Sequence, residues 1–199
     1  MNNLDVLLSV CVGIGLSAAC GFRIFVPLLC LSAAGLWGHL PLTESFSWVA
    51  TWPAFIAFAV ATGIEIAGYY IPWVDNALDT IAAPVAVLAG TLVMASVTAD
   101  MSPLWRWSLA LIAGGGAAAT SQLLTTKLRA ISSVGTGGLG NPVLSTIELG
   151  ISTLLSILAV LWPIVAVVLA IFALVFLWLA IRFFAKLVKR LFGRKEALA

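Results

Sequence analysis

The chain has 199 residues, of which 62% are hydrophobic and only 9% charged, with a mean hydropathy of +1.15 and a formal net charge of +2. Repeated apolar runs near twenty residues exclude a soluble domain, because about 20 apolar residues in a row cross a bilayer as a helix. The runs do not alternate polar and apolar positions, which excludes a transmembrane β-barrel. The expected class is an all-α polytopic membrane protein with about six transmembrane helices, forming one membrane domain over 1–185 and a basic tail over 186–199.

The spans read from the sequence are about 6–36, 51–70, 80–98, 104–125, 143–161 and 163–185. The first is too long for a single straight crossing. Its 31 residues would make about 46 Å of helix against a hydrocarbon core of roughly 30 Å. Gly21 and Pro27 mark a break, with Arg23 between them. Three arrangements fit: one broken crossing, two short crossings with Arg23 at the turn, or a re-entrant half-helix. The same run holds Cys11, Cys20 and Cys30, whose spacing matches no CxxC or Cys/His ligand pattern. They read as small buried apolar side chains. Gly13, Gly15, Ser17, Ala18 and Ala19 form a small-residue surface that permits close helix approach, as do Gly114 to Ala119 further on.

The second and third spans meet in IEIAGYYIPWVDNALDTIAAP, which carries Glu65, Asp75 and Asp79. A carboxylate near hydrocarbon costs several kcal/mol unless something offsets it, so such acids mark function or pairing. Asp75 reads as a solvated turn residue, and Asn76 or Asp79 as a cap for the helix that follows. Glu65, roughly five residues inside its span, has no such account. The turn at Asp100-Met101-Ser102-Pro103 then leads into the fourth span.

The stretch 126–142, with Lys127 and Arg129, reads as a loop. Within it, Gly135, Gly137 and Gly140 formally match GxGxxG, but no strand precedes them, so no nucleotide site is expected. Gly137, Gly138 and Gly140 instead read as a flexible cavity-lining loop leading into Asn141 as N-cap and Pro142 as first helical residue. Glu148 lies two turns into that helix, at about the depth of Glu65. Together they could share a cation or a proton, or pair with Arg23, whose guanidinium stays charged.

Six of the ten basic residues (Arg182, Lys186, Lys189, Arg190, Arg194 and Lys195) lie in the last eighteen positions. Such a cluster beside a membrane helix marks the cytoplasmic side and contacts anionic lipid. With the C-terminus inside, Lys127 and Arg129 are inside too. Trp37, Trp48, Trp52, Trp73, Trp105, Trp107 and Trp162 then fall at the interfaces. His39 sits alone in the 37–50 loop and reads as solvated. A weak internal repeat, Gly15-Leu16-Ser17-Ala18-Ala19-Cys20 against Gly115-Gly116-Ala117-Ala118-Ala119-Thr120, fits the duplicated architecture of many transporters.

The pieces Gly21-x-Arg23-x-x-x-Pro27-Leu28-Leu29, then Glu65, then Pro72-Trp73-Val74-Asp75-x-x-x-Asp79, resemble the bacterial membrane family called domain of unknown function 4126, over essentially the whole chain. The resemblance implies that Arg23, Glu65, Asp75 and Asp79 belong to a shared pattern, and it implies no activity. In that family the run before the proline carries an acidic and a basic residue, where this chain reads Gly68-Tyr69-Tyr70.

The functional expectation is a small transporter or channel-like protein. Glu65, Asp79 and Glu148 form its acidic site, Arg23 is a counter-ion or substrate anchor, and Gly137, Gly138, Gly140 and Asn141 line the path. The partners are the bilayer and a small solute or cation. A homodimer is compatible with so few helices. No cofactor, nucleic-acid contact or enzymatic activity is expected, since neither HExxH nor GxSxG is present. A scaffold or accessory subunit with closed structural ion pairs is the alternative, and a lipid-handling protein a further one.

Overall fold

The computed structural model describes residues 3–98 and 101–196. Asp100, expected at a turn, lies outside the described residues. So do the side chains of Trp73, Asn76, Lys189, Arg190, Arg194 and Lys195. The described residues form helices and connecting turns with no strand. In chain order they are α1 (Asn3–Cys20), α2 (Phe25–Leu36), a 3-10 helix (Glu44–Ala50), α3 (Trp52–Gly68), α4 (Pro72–Val97) and α5 (Pro103–Leu109). A π-helical segment (Ala110–Gly115), α6 (Gly116–Thr136), α7 (Asn141–Leu161) and α8 (Pro163–Glu196) follow.

The first apolar run folds back on itself. Alpha-helical hydrogen bonding stops at Cys20, and α2 starts at Phe25. Helix α1 runs antiparallel to α4: the Ser17 hydroxyl donates to the Gly90 carbonyl at 2.7 Å, and Gly13 abuts Met94 and Val97. It is also antiparallel to α7, since Ser152 donates to the Ala19 carbonyl at 3.1 Å and Gly15 faces Ala159. Helix α2 then runs alongside α7 in the same direction, with Arg23 at Ser145 and with Cys30 and Trp37 beside Ile157 and Leu161. The run is therefore a helical hairpin with its tip at residues 21–24. At about 1.5 Å per residue its arms are roughly 27 and 18 Å long, short of a full crossing.

Three helices are long and apolar enough to cross a bilayer: the Ala77–Val97 part of α4, α7, and α8 over Pro163–Lys186. The 3-10 helix and α3 make a fourth span if the pair, bent by 65°, counts as one. The sequence count of six is not reached by this measure: the hairpin arms are short, and the fourth run passes from α to π and back at Ala110–Gly115 while staying helical. A second correction concerns 126–142. Helix α6 continues to Thr136, and the connection shrinks to residues 137–140, with Gly137 and Gly138 at φ of +64° and +91°. Glycine takes that left-handed conformation without penalty, which lets the chain end one helix and turn into the next.

Helix α1 is central. Val12, Leu16 and Cys20 are buried against Ala86, Ala89, Val93 and Met94 of α4. Ala18, Ala19 and Phe22 pack against Leu155 of α7 and Ala170 and Leu177 of α8. Close approach depends on missing side chains. A Cβ on Gly114 would lie 2.6 Å from the Gly90 carbonyl oxygen, and one on Gly21 would lie 2.4 Å from that of Ala118. One end of the bundle gathers the hairpin tip, the α3–α4 turn and the α6–α7 turn. The other carries the 37–51 segment and the α7–α8 turn. Trp37, Trp48, Trp52, Trp105 and Trp162 at this second end are exposed, as aromatic residues at a membrane interface are.

Candidate functional site

Polar residues inside this fold follow helical periods. On α7 the buried positions are Asn141, Ser145, Glu148, Ser152, Leu155, Ser156 and Ala159. On α6 they are Ala118, Ser121, Gln122, Thr125 and Arg129. Leu123 and Val134 of α6 and Val143 and Ile147 of α7 point outward. Small and polar side chains face the interior and large apolar ones face outward, the reverse of a soluble helix. Where the two stripes meet the hairpin tip, they assemble a cluster of ionised groups.

Arg129 stands at its centre, 4% exposed. Its Nε donates to Glu148 Oε1 at 3.0 Å and its Nη2 pairs with Glu148 Oε2, a two-point clamp. Its Nη1 pairs with Asp75 and lies 3.7 Å from Asp79 Oδ1. Arg23, 2% exposed, donates through Nη2 to the Ser145 carbonyl at 2.8 Å and to the Ser145 hydroxyl, and lies 3.8 Å from Glu148. The Tyr69 ring holds both cations: Arg23 Cζ is 3.8 Å and Arg129 Cζ 4.5 Å from its centroid. The negative face of an aromatic ring suits this placement, worth about 2 kcal/mol where water is excluded. Tyr69 thus joins two ionic groups without adding a charge.

Glu65 has a separate task. Its two carboxylate oxygens accept the backbone N–H of Ile24 (2.8 Å) and of Phe25 (3.1 Å). Helix α2 has no cap of its own at Ile24, so a carboxylate from α3 satisfies the free donors at its start and complements its dipole. Burial of Glu65 is explained by this contact, which pins the hairpin tip to α3.

Four sequence expectations are corrected here. Asp75 is not a solvated turn residue but is 2% exposed, because Arg129 and Asn141 Nδ2 (3.2 Å) hold it inside. Asp79 does not cap α4; the helix begins at Pro72 with Ile71 as its cap residue, and Asp79 lies two turns further in. Asn141 is not the N-cap of α7, a position held by Gly140; its amide donates to Asp75 and to Ser133 (3.1 Å) instead. Arg129, read as a loop residue, is the hub. The spacing of Ser121, Gln122, Thr125 and Arg129 at three and four residues was the signal that could have placed it on a buried helix face.

A cleft of about 310 Å³ opens beside the cluster, lined by Tyr69, Tyr70, Asp75, Ser133, Gly137, Gly138, Asn141 and Pro142. Gly140 does not line it; a Cβ there would meet Ser132 and Thr136. A second cavity of about 380 Å³ lies between α3 and α4 near the hairpin tip. It is almost wholly apolar, with Ile64, Leu78, Ile81 and Val85 along it and Glu65 and Tyr69 at its polar end. Among the described residues no group of three His, Cys, Asp or Glu side chains is placed to hold a metal ion.

A helical bundle with short and broken apolar helices, polar inner stripes and a buried arginine–carboxylate cluster defines an all-α integral membrane protein. The family model described as Domain of unknown function (DUF4126) matches residues 10–185. The chain belongs to that family. No curated protein and no solved structure gives a match.

Proposed function

We propose that the protein is a small transporter or channel-like protein of a bacterial cytoplasmic membrane, which admits a cationic solute to the Asp75–Asp79–Asn141 side of the cluster from the cytoplasmic face. The observation that carries this reading is an imbalance. Asp75, Asp79 and Glu148 lie against the two guanidiniums of Arg23 and Arg129, and Glu65 adds a fourth buried carboxylate, held by backbone N–H groups at the hairpin tip. Surplus negative charge at low dielectric is costly unless a proton or another cation joins it. The polar cleft is the side on which this surplus meets unpaired acceptors. Asp79 Oδ1 and Asn141 Oδ1 have no hydrogen-bond partner, and Asp75 and Asn141 line the cleft. The basic end of α8 runs toward the cluster end of the bundle, which the positive-inside rule assigns to the cytoplasm.

The test is uptake of radiolabelled methylammonium into vesicles containing the purified protein. Uptake should be saturable, and Asp79→Asn should lower it tenfold or more with little loss of stability, since Asp79 makes only a long contact to Arg129. Uptake no greater than in empty vesicles, or unchanged in Asp79→Asn, overturns the reading. The scaffold alternative draws on one observation, the complete engagement of Arg129 by Glu148 and Asp75. It gains if flux is absent while Arg129 substitutions destabilise the fold.

A further inference from the structure

Tyr69 lines both cavities: the polar cleft, and the apolar groove between α3 and α4. Around it, the two halves differ sharply in chemistry. On the cleft side are the Asp75 carboxylate, the Ser133 hydroxyl and the Asn141 side chain. Asn141 is 7% exposed and its Oδ1 is unpartnered. A buried amide oxygen without a donor costs free energy until a donor arrives, so this atom asks for an N–H or O–H group. On the groove side the walls are Ile64, Leu78, Ile81 and Val85, with Ile64 and Ile81 more than half exposed on the outside of the bundle. In a membrane protein such an opening faces acyl chains. Among the described residues, none that lines either cavity is basic.

We propose that the two cavities form one site for an amphipathic primary amine. Its ammonium sits in the cleft, donating to Asp75 and Asn141 Oδ1. Its apolar chain passes Tyr69 and lies in the groove between α3 and α4. The inference rests on the cationic-solute reading above and narrows its ligand class. Each half selects. The carboxylate and the orphan acceptor reject anionic and donor-free heads, because these leave buried acceptors unpaired. The groove favours long-chain amines over short polar ones, which gain nothing from apolar walls. A volume of about 380 Å³ accommodates a single chain; at about 30 Å³ for each water-sized group, it holds about twelve methylenes.

The experiment is equilibrium binding of tritiated dodecylamine to the purified full-length protein in detergent, with unlabelled competitors. Dodecylamine should bind saturably. Dodecanoate and dodecyltrimethylammonium, of equal chain length but without an ammonium N–H, should compete at least tenfold less well. Asp75→Asn should weaken dodecylamine binding at least tenfold. Because that change also touches Arg129, Val85→Trp provides a second variant that fills the groove and leaves every charged group in place. It should weaken dodecylamine tenfold and leave methylammonium binding unchanged. Equal competition by all three twelve-carbon compounds overturns the proposal, as does unchanged dodecylamine binding in Val85→Trp. If methylammonium binds as tightly as dodecylamine, the cationic site stands and the apolar half falls. If neither amine binds, both readings fall.

Discussion

Nε and Nη2 of Arg129 meet Glu148, and Nη1 meets Asp75. Removing one member of such a buried set leaves its partners uncompensated, which costs about 3–5 kcal/mol. Arg129→Gln should therefore lower the unfolding free energy in detergent by about that amount, and Arg129→Lys should recover only part of it, since an ammonium cannot grip a carboxylate at two points. Equal stability of wild type and Arg129→Gln would show that the cluster does not hold the helices together. The sequence made some of this set visible and hid the rest. Glu65, Arg23 and Glu148 stood out because each is a charge inside an apolar run. Asp75 and Arg129 were not placed inside, because a turn beside Asp75 and the polar Thr125-Thr126-Lys127 stretch before Arg129 mimic solvation. What placed them inside was a partner 54 residues away in the chain, a relation that no local window contains.

Helices in this protein approach each other closely only where side chains are absent, and the glycines divide accordingly. Gly114 faces the Gly90 carbonyl at a distance no Cβ tolerates, whereas a Cβ on Gly116 would meet nothing within 4 Å. Gly114→Ala should destabilise the protein by about 1–3 kcal/mol through overpacking. Gly116→Ala, two residues along the same helix, should be neutral or stabilising by up to about 1 kcal/mol because it removes a helix-interior glycine. Melting both variants in one detergent checks the contrast, and a similar response from the two would rule out the close contact of α4 with the π segment. Element existence was legible from the apolar runs. Element ends were less so. Helix α6 runs on through a polar stretch because Ser121, Gln122, Thr125 and Arg129 face inward, so hydropathy falls where the helix does not.

At the scale of the whole molecule, the cluster and the exposed tryptophans occupy opposite ends, which gives a direct check of orientation. Leu139, 85% exposed in the α6–α7 turn, and His39, exposed in the 37–51 segment, can each be replaced by Cys in a protein lacking Cys11, Cys20 and Cys30. With an impermeant maleimide on intact cells, His39→Cys should react and Leu139→Cys should react only after lysis. Reaction of both from one face would contradict the bundle. The fold class was legible from composition alone, but the hairpin was not: the single broken crossing is excluded by contacts of both arms with α7, such as Arg23 to Ser145, 122 residues later. That separation has a consequence for biosynthesis. Arg23 leaves the ribosome before Glu65, and long before Ser145 and Glu148, so the hairpin tip is made first and tied down last. Until α7 is synthesised the guanidinium has the Tyr69 ring but neither its hydrogen-bond acceptor Ser145 nor the carboxylate of Glu148.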